Sequence, residues 1–425
     1  MTKTSDSNAH RPAPGAGLTL DRRRFGLGVA ATTAAMSTSG WIRAARAAAT
    51  PPVKVGVLLP RSGFLALIGQ ACQRGCDLAL PILSDLGYSI ELMNADTESS
   101  PDVARTQAER LIREGANVLV GAFESGATMA IAQVAEQRGV PFVINLGADP
   151  KITEQGFRYT FRNFPTSVML TQGGLSLMND LFKATGKTPK TAVLTYVNDS
   201  FGQSMQTVIG QLAPKIGLPF TIVESIAYDP KARDLSVEVA KAKAANAELH
   251  IAVSRLNDAI VMVREMVKQK YEPMGIIGPG NPGMYEKQFL KTLGKYAEYV
   301  ITNVPWFDPK QPLNGTLQAA FEKAYPDETY ELNVGFSFEA MLVCADAYKR
   351  AGSAAPQALV EALRQTNLQQ RVMIGGPIRF DEKGQNVDLV SAAVQNRNGR
   401  PTVVLPAASA EMPPVFPMPG WSARA

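Results

Sequence analysis

Histidine and cysteine are scarce in this 425-residue chain, with two of the first and three of the second. His10 stands near the start and His250 inside an apolar run, so no His/Cys spacing forms that could hold a zinc ion. The neighbours of His250 suit a core or edge histidine better than a general base. Three cysteines make no even disulfide framework. Cys72 and Cys76 lie one helical turn apart, a poor geometry for a bridge, and Cys344 falls in another helical pattern. All three read as buried thiols acting as small apolar groups. After the first fifty residues no apolar run reaches the ~18 residues a membrane helix needs. Catalytic and phosphate-binding motifs are missing too. "ESGAT" (124–128) lacks the first glycine of G-x-S-x-G, and "LLPRSGFLALIG" (58–69) lacks G-x-G-x-x-G. "GPGNPG" (278–283) has no Lys-Ser/Thr to complete a phosphate loop. These absences speak against an enzyme, a metal site and a bound cofactor.

Surplus charge is also missing from most of the chain. Of 43 basic and 38 acidic residues, seven basic and two acidic fall in 1–49, leaving 36 of each in the remainder. A nucleic-acid footprint needs positive charge clustered on the folded part, so that class of partner is excluded. The basic head contains "LDRRRFGLG", a weakly apolar run from Gly26 to Ile42, and an A-x-A option at Ala47-Ala48-Ala49. Two readings fit: an export signal cleaved near Ala49, or a basic tail with an amphipathic helix. The pair of arginines, one further residue and Phe25 resemble the twin-arginine export signal, which implies a periplasmic mature protein.

What the chain has in quantity is alternation. From Pro51, short β-type apolar runs such as "VKVGVLL", "SIELMNAD", "NVLVGAF" and "PFVINLG" alternate with helix-period segments. Ser100 stands where it can cap the helix that starts at Pro101. After "FRYTFRNFPTS" the scheme restarts with "TAVLTYV", "PFTIVESIAY", "ELHIAVS" and "MGIIGPG". Repeated βα units predict an α/β protein of two Rossmann-like lobes with parallel central sheets. A third section, 304–425, adds helices, a hairpin-like stretch and a Pro-rich end.

In open parallel sheets, ligands sit beyond the carboxyl ends of the strands. The residues there include Ser62, Glu124-Ser125-Gly126, Asn145, Leu146 and Ala148 in the first half. In the second half they include Asn198, Phe201, Arg255, Asn257, Gly280 and Asn281. Ser125 precedes a helix, so it either caps that helix or offers a hydroxyl to an anion at the helix N-terminus. Asn198-Asp199 and Asn257-Asp258 divide in the same way between turn chemistry and ligand contact. Arg255 directly follows an apolar strand, and its guanidinium suits a carboxylate ligand. A salt bridge to Asp258 is the competing use.

Taken in order, "KVGVLLPRSGFLALIGQ", "GAFESGATMAIA", "VNDSFGQS", "IGPGN" and "FDEKGQ" resemble the type I periplasmic solute-binding proteins of the branched-chain amino acid class. These proteins serve ABC transporters, and the resemblance runs over nearly all of 53–405. It implies two lobes joined by three crossings that close on a ligand, with crossings near Phe164, Val304 and Ile378. The implied division is lobe 1 at 50–164 plus 304–378 and lobe 2 at 165–303 plus 379–408. A Pro-rich tail at 409–425 completes it. The resemblance also puts Ser125 on the family's carboxylate-binding serine, Leu146 and Ala148 on its backbone contacts, and Phe201 on an aromatic of lobe 2. Two positions depart from it. Gly280, beside Asn281, stands where leucine binders have an acidic residue for the ammonium group, and Arg255 stands where an aromatic is common. The exchange favours an anionic ligand over a zwitterion, although Glu124 could take the ammonium from the other lobe.

The expected function is an exported binding protein that hands an amino acid or organic carboxylate to membrane permease subunits, acting as a monomer. A sensor that presents its ligand to a receptor, or an exported α/β enzyme, are the alternatives.

Overall fold

A computed structural model describes residues 51–308, 311–407 and 410–424. The export segment 1–49 lies outside the described residues. Strand β1 (Val53–Leu59) carries "VKVGVLL", and every residue but Lys54 is buried, as a parallel-sheet strand covered on both faces requires. It is followed by α1 (Ala66–Asp85), β2 (Ile90–Asp96), α2 (Pro101–Arg113), β3 (Val118–Gly121), α3 (Ser125–Arg138), β4 (Phe142–Ile144) and β5 (Thr160–Arg162). These five strands form one parallel sheet in the order β2-β1-β3-β4-β5. The Ser100 side chain accepts a hydrogen bond from Val103 N at the start of α2, as the local pattern predicts.

The second run is α4 (Ser167–Thr185), β6 (Thr191–Val197), α5 (Ser200–Lys215), β7 (Thr221–Tyr228), α6 (Ser236–Ala244) and β8 (Leu249–Val253). It continues with α7 (Leu256–Lys268), β9 (Gly275–Pro279), α8 (Lys287–Leu293) and β10 (Ile301–Pro305). After α9 (Pro312–Ala324), α10 (Leu332–Ala351) and α11 (Pro356–Arg364) come β11 (Ser391–Arg397) and β12 (Arg400–Leu405). The second sheet is ordered β12-β11-β10-β9-β8-β6-β7, with β11 and β12 antiparallel to their neighbours. The chain is thus α/β, with two lobes built on parallel-rich sheets.

Helix α10 returns to the first lobe, against α1 and strands β1, β3 and β4. It is buried on all sides from Leu332 to Ala345, as a helix apolar all round must be. The approach to α1 is close: a Cβ on Gly75 would lie 2.3 Å from Val334 O.

Three passages link the sheets, and buried polar groups bind them together. Asn163, after β5, donates from Nδ2 to Glu339 Oε2 at 2.9 Å and accepts from Asn386 Nδ2 at 3.0 Å. Glu339 Oε1 accepts from the backbone N–H groups of Val372 and Met373. The third passage falls later than Ile378. Residues 384–386 still hydrogen-bond to Arg162 of the first sheet, and the chain joins the second sheet only at Ser391. The Pro-rich end is no loose extension either. Val415 exchanges hydrogen bonds with Gln395, Trp421 Nε1 donates to Tyr271 O at 2.8 Å, and Arg424 Nη1 donates to Tyr296 O and Glu298 O. Buried Phe416, packed on Phe182, pins this strap to the second lobe.

Candidate ligand-binding cleft

At the end of β3 the backbone bends sharply: Gly121 has φ +149° and Phe123 has φ +93°. A positive φ at a phenylalanine is uncommon and costly, and such outliers cluster at ligand clamps. The bend sets Phe123 beside a buried Ser125 at the first turn of α3. Glu124, not Ser125, is the residue preceding the helix, and Ser125 makes no capping bond. Instead its Oγ accepts from Asp149 N at 3.2 Å. That contact leaves the hydroxyl hydrogen available. The first-turn amides of a helix have no intrahelical acceptor, so both can meet an anion.

The loop after β4 is held from behind by Arg162, which is fully buried. Its guanidinium donates to Gly147 O (3.0 Å), Asp149 O (2.7 Å), Thr153 Oγ1 (2.6 Å) and Gln385 Oε1 (2.6 Å). Burial pulls its pKa down to about 9. These bonds fix the turn that carries Leu146 and Ala148 and the amide that holds Ser125.

On the second lobe, Arg255 follows β8 and is 4% exposed. Its Nη2 pairs with Asp199 Oδ2 at 2.7 Å, and the guanidinium lies 5.1 Å from the Phe201 ring centroid. The expected partner Asp258 is otherwise engaged. Its carboxylate accepts from Arg255 N at 2.9 and 3.0 Å and from Tyr228 Oη at 2.6 Å. Asp199 does two jobs, since Oδ1 also caps α5 through Gly202 N at 3.0 Å. Strands β6 and β8 are sheet neighbours, which brings their terminal loops together. Gly280 sits after β9 with φ +79°, and a Cβ there would lie 2.7 Å from Leu170 Cβ. An acidic side chain at that position would press on Leu170 and strain the backbone.

One cavity of about 410 Å³, counted to its mouth, lies between these walls. Ser125, Leu146, Ala148, Phe201, Arg255 and Gly280 all line it. So do Phe164 and Val304 at the passages, and Phe123, Pro282, Tyr285, Leu332 and Asn333. The mainly apolar lining with a few polar groups suits a small organic molecule.

Several expected residues stand elsewhere. Ser62 is exposed, in a turn where its N–H donates to Asp96 Oδ1. Gly126 faces Pro101, which a Cβ would meet at 3.3 Å. Asn145 donates to Ser337 Oγ in the buried contact with α10. Asn198 accepts from Gln203 Nε2 on an exposed helix start. Asn281 is buried and donates to Ser254 Oγ. Asn257 reaches across the cleft, donating from Nδ2 to Phe64 O at 2.8 Å. Its contact is between lobes.

Glu124 is buried beside the cavity, and neither carboxylate oxygen has a partner. Loss of solvent pushes its pKa up to about 7, with nearby Asp199 and Asp96 adding to the rise and Arg255 opposing it. His250 is a core residue: Nε2 lies 3.0 Å from Thr195 Oγ1, and burial lowers its pKa to about 3, so it is neutral. Cys72, Cys76 and Cys344 are free and buried.

Two α/β lobes around one apolar cavity, with a hydroxyl on one wall and a guanidinium on the other, define a two-lobed solute-binding fold. The periplasmic binding protein family profile matches residues 52–400, and the chain belongs to that family. It is 26% identical over 340 residues to Leu/Ile/Val-binding protein homolog 1 of Brucella abortus, covering 78% of this chain and 87% of that one. Homolog 8 of the same organism is 29% identical over 249 residues, 57% of this chain and 60% of the relative. The chain thus spans about 60% of the length of homolog 8. Among solved structures, the branched-chain amino acid substrate-binding protein LivJ of Streptococcus pneumoniae, in complex with isoleucine, superposes with a TM-score of 0.72 at 19% identity. That match covers 84% of this chain and all of the other. A solute-binding protein of R. palustris in complex with benzoate gives 0.72 at 21% identity, covering 85% and 98%. The fold is that of the type I binding proteins.

Proposed function

We propose that the protein is the extracytoplasmic binding component of an ABC importer, taking a small organic carboxylate or amino acid between its lobes and releasing it to the permease subunits. The observation that carries this reading is the shared cavity, with Ser125 at the start of α3 on one wall and Arg255 with Phe201 on the other. Ser125 Oγ–H and the first-turn amides of α3 take the carboxylate, aided by the helix dipole. Leu146 and Ala148 close around it from the first lobe, and Gly280 lets the second lobe approach. Phe164, Phe201, Leu332 and Val304 receive the apolar body. The hinged halves, with boundaries close to 50–164 plus 304–386 and 165–303 plus 391–408, shut on the ligand, and no bond is made or broken. A twin-arginine signal at 1–49 would deliver the protein to the periplasm, where it acts as a monomer.

Arg255 contributes less positive charge than an isolated arginine would, because Asp199 balances it at 2.7 Å. Anions therefore owe more of their binding to the first wall. A second reading, a branched-chain amino acid, is favoured by the free carboxylate of Glu124, which could accept an ammonium group.

A thermal-shift screen of aromatic and aliphatic acids, amino acids, NAD and flavin tests the proposal. Stabilisation by one small class of carboxylates is expected, since a ligand that binds only the folded state raises its stability by mass action. Stabilisation by NAD or flavin alone would contradict it.

A further inference from the structure

A second pair of polar residues, separate from the Ser125 wall, lines the cavity. Asn333, at the start of α10, lines it and is buried. Its backbone N–H and its Nδ2 both donate to Glu331 Oε2, at 3.0 and 2.8 Å. The reversed amide would set oxygen against that carboxylate, so the orientation is determined by its neighbour. Asn333 Oδ1 is left without a protein partner. Tyr285, after β9, also lines the cavity, is fully buried, and has an unpartnered hydroxyl. Its ring is held edge-on by Trp306 at 5.5 Å between centroids. Behind them stand Glu331 and Glu286, each buried with an unpartnered Oε1. One atom of the pair comes from a first-lobe helix and the other from a second-lobe loop.

Buried polar atoms rarely lack partners, and an unpaired one penalises any ligand that leaves it so. Asn333 Oδ1 can only accept, whereas the Tyr285 hydroxyl can donate or accept. A ligand hydroxyl has the chemistry to match both, donating to the amide oxygen and accepting from the phenol.

Resting on the carboxylate reading above, we propose that Tyr285 and Asn333 form a subsite for a hydroxyl group on the ligand's body, which makes the substrate class hydroxylated carboxylic acids. The bond to the hydroxyl would span the two lobes and so couple recognition to closure.

Calorimetric titration with benzoate and its three monohydroxylated isomers, and with 3-phenylpropanoate and its 4-hydroxyphenyl analogue, tests this. At least one hydroxy acid should bind about tenfold or more tighter than its parent. Tyr285→Phe, close to isosteric, should bring that ratio near one, by weakening the hydroxy acid and by lifting the penalty that the unpaired phenol imposes on the parent. Asn333→Ser should reduce the ratio as well, with the melting temperature confirming that each variant folds. Ser125→Ala should weaken parent and hydroxy acid alike. Tight binding of parent and hydroxy acids with a ratio near one, or a ratio that Tyr285→Phe leaves intact, would overturn the subsite alone. Leucine or isoleucine binding tighter than every hydroxy acid would overturn it too, because charge would then be what the cavity reads. Failure of all these acids to bind would overturn the subsite, and failure of every carboxylate and amino acid in the thermal-shift screen would remove the carboxylate reading with it.

Discussion

The two walls of the cleft hold their polar groups by different means. On the first lobe, Ser125 is fixed by a backbone amide, and that amide's loop is fixed by a guanidinium that never meets solvent. On the second, Arg255 is fixed by a carboxylate that is 28% exposed and by an aromatic face. Preorganised backbone and hydroxyl donors cost no rearrangement when an anion arrives and respond little to salt. The ion pair has to rearrange, because a ligand carboxylate must compete with Asp199 for the same cation, and salt screens only the partly exposed Asp199 end of a pair whose arginine is buried. Under the proposed function, the first wall would supply affinity for the anionic head and the second would adjust it.

The largest expected effect comes from dismantling the first wall's support. Arg162→Leu strips partners from two carbonyls, Thr153 and Gln385, and should cost about 3–5 kcal/mol in a denaturant titration. No single change on the second wall should cost as much.

Glu124, buried between the walls, makes stability depend on pH. Its pKa is about 7 in the folded protein against an ordinary 4.5. The folded state therefore keeps its proton where the unfolded state loses it. The contribution of Glu124 to stability is greatest below about pH 4.5, declines as pH rises to about 7, and is absent above that. Glu124→Gln should remove up to about 3 kcal/mol of the difference between pH 5 and pH 8, measured by paired melts. Glu331, raised likewise to about 7 by burial, will keep part of the dependence in place.

Ser125→Ala should weaken carboxylate binding by roughly 1.5–3 kcal/mol, about 10- to 150-fold, and should also lower the melting temperature, because it leaves Asp149 N without its acceptor. Asp199→Asn should do the opposite on a smaller scale. Asparagine still caps α5, so the fold is preserved, and the freed guanidinium should tighten anion binding by about 1 kcal/mol at low salt, less at high salt. Equal losses from Ser125→Ala and Arg255→Gln, with no salt dependence in either, would erase the distinction between the walls.

The fold was legible because its signals are local. Apolar strand runs alternate with helix periods, and Ser100 announces the helix it caps. The rule that ligands gather at strand ends reached Ser125, Leu146, Ala148, Phe201, Arg255 and Gly280. It also gathered Ser62, Asn198 and Asn281, whose side chains or amides complete turns and loop contacts at those same ends. The partner of Arg255 was hidden for a topological reason. Asp258 is near in sequence but turns back to the backbone, while Asp199 is near only because β6 and β8 are adjacent in the sheet. Tyr285 and Asn333 lay beyond reach because one sits in a loop past the strand end and the other opens a helix from the C-terminal section. Nothing in their local sequence marks them as cavity residues. The Pro-rich end looked detached because its attachments, Gln395 and Tyr271, are distant in the chain.

A crystal structure with the acid that gives the largest thermal shift would show where the carboxylate sits. It is expected on Ser125 Oγ and the first amides of α3, with the body of the ligand against Phe164 and Phe201 and Arg255 at its edge. A ligand bound outside this cavity, or one with its carboxylate turned away from Ser125, would contradict the proposed function.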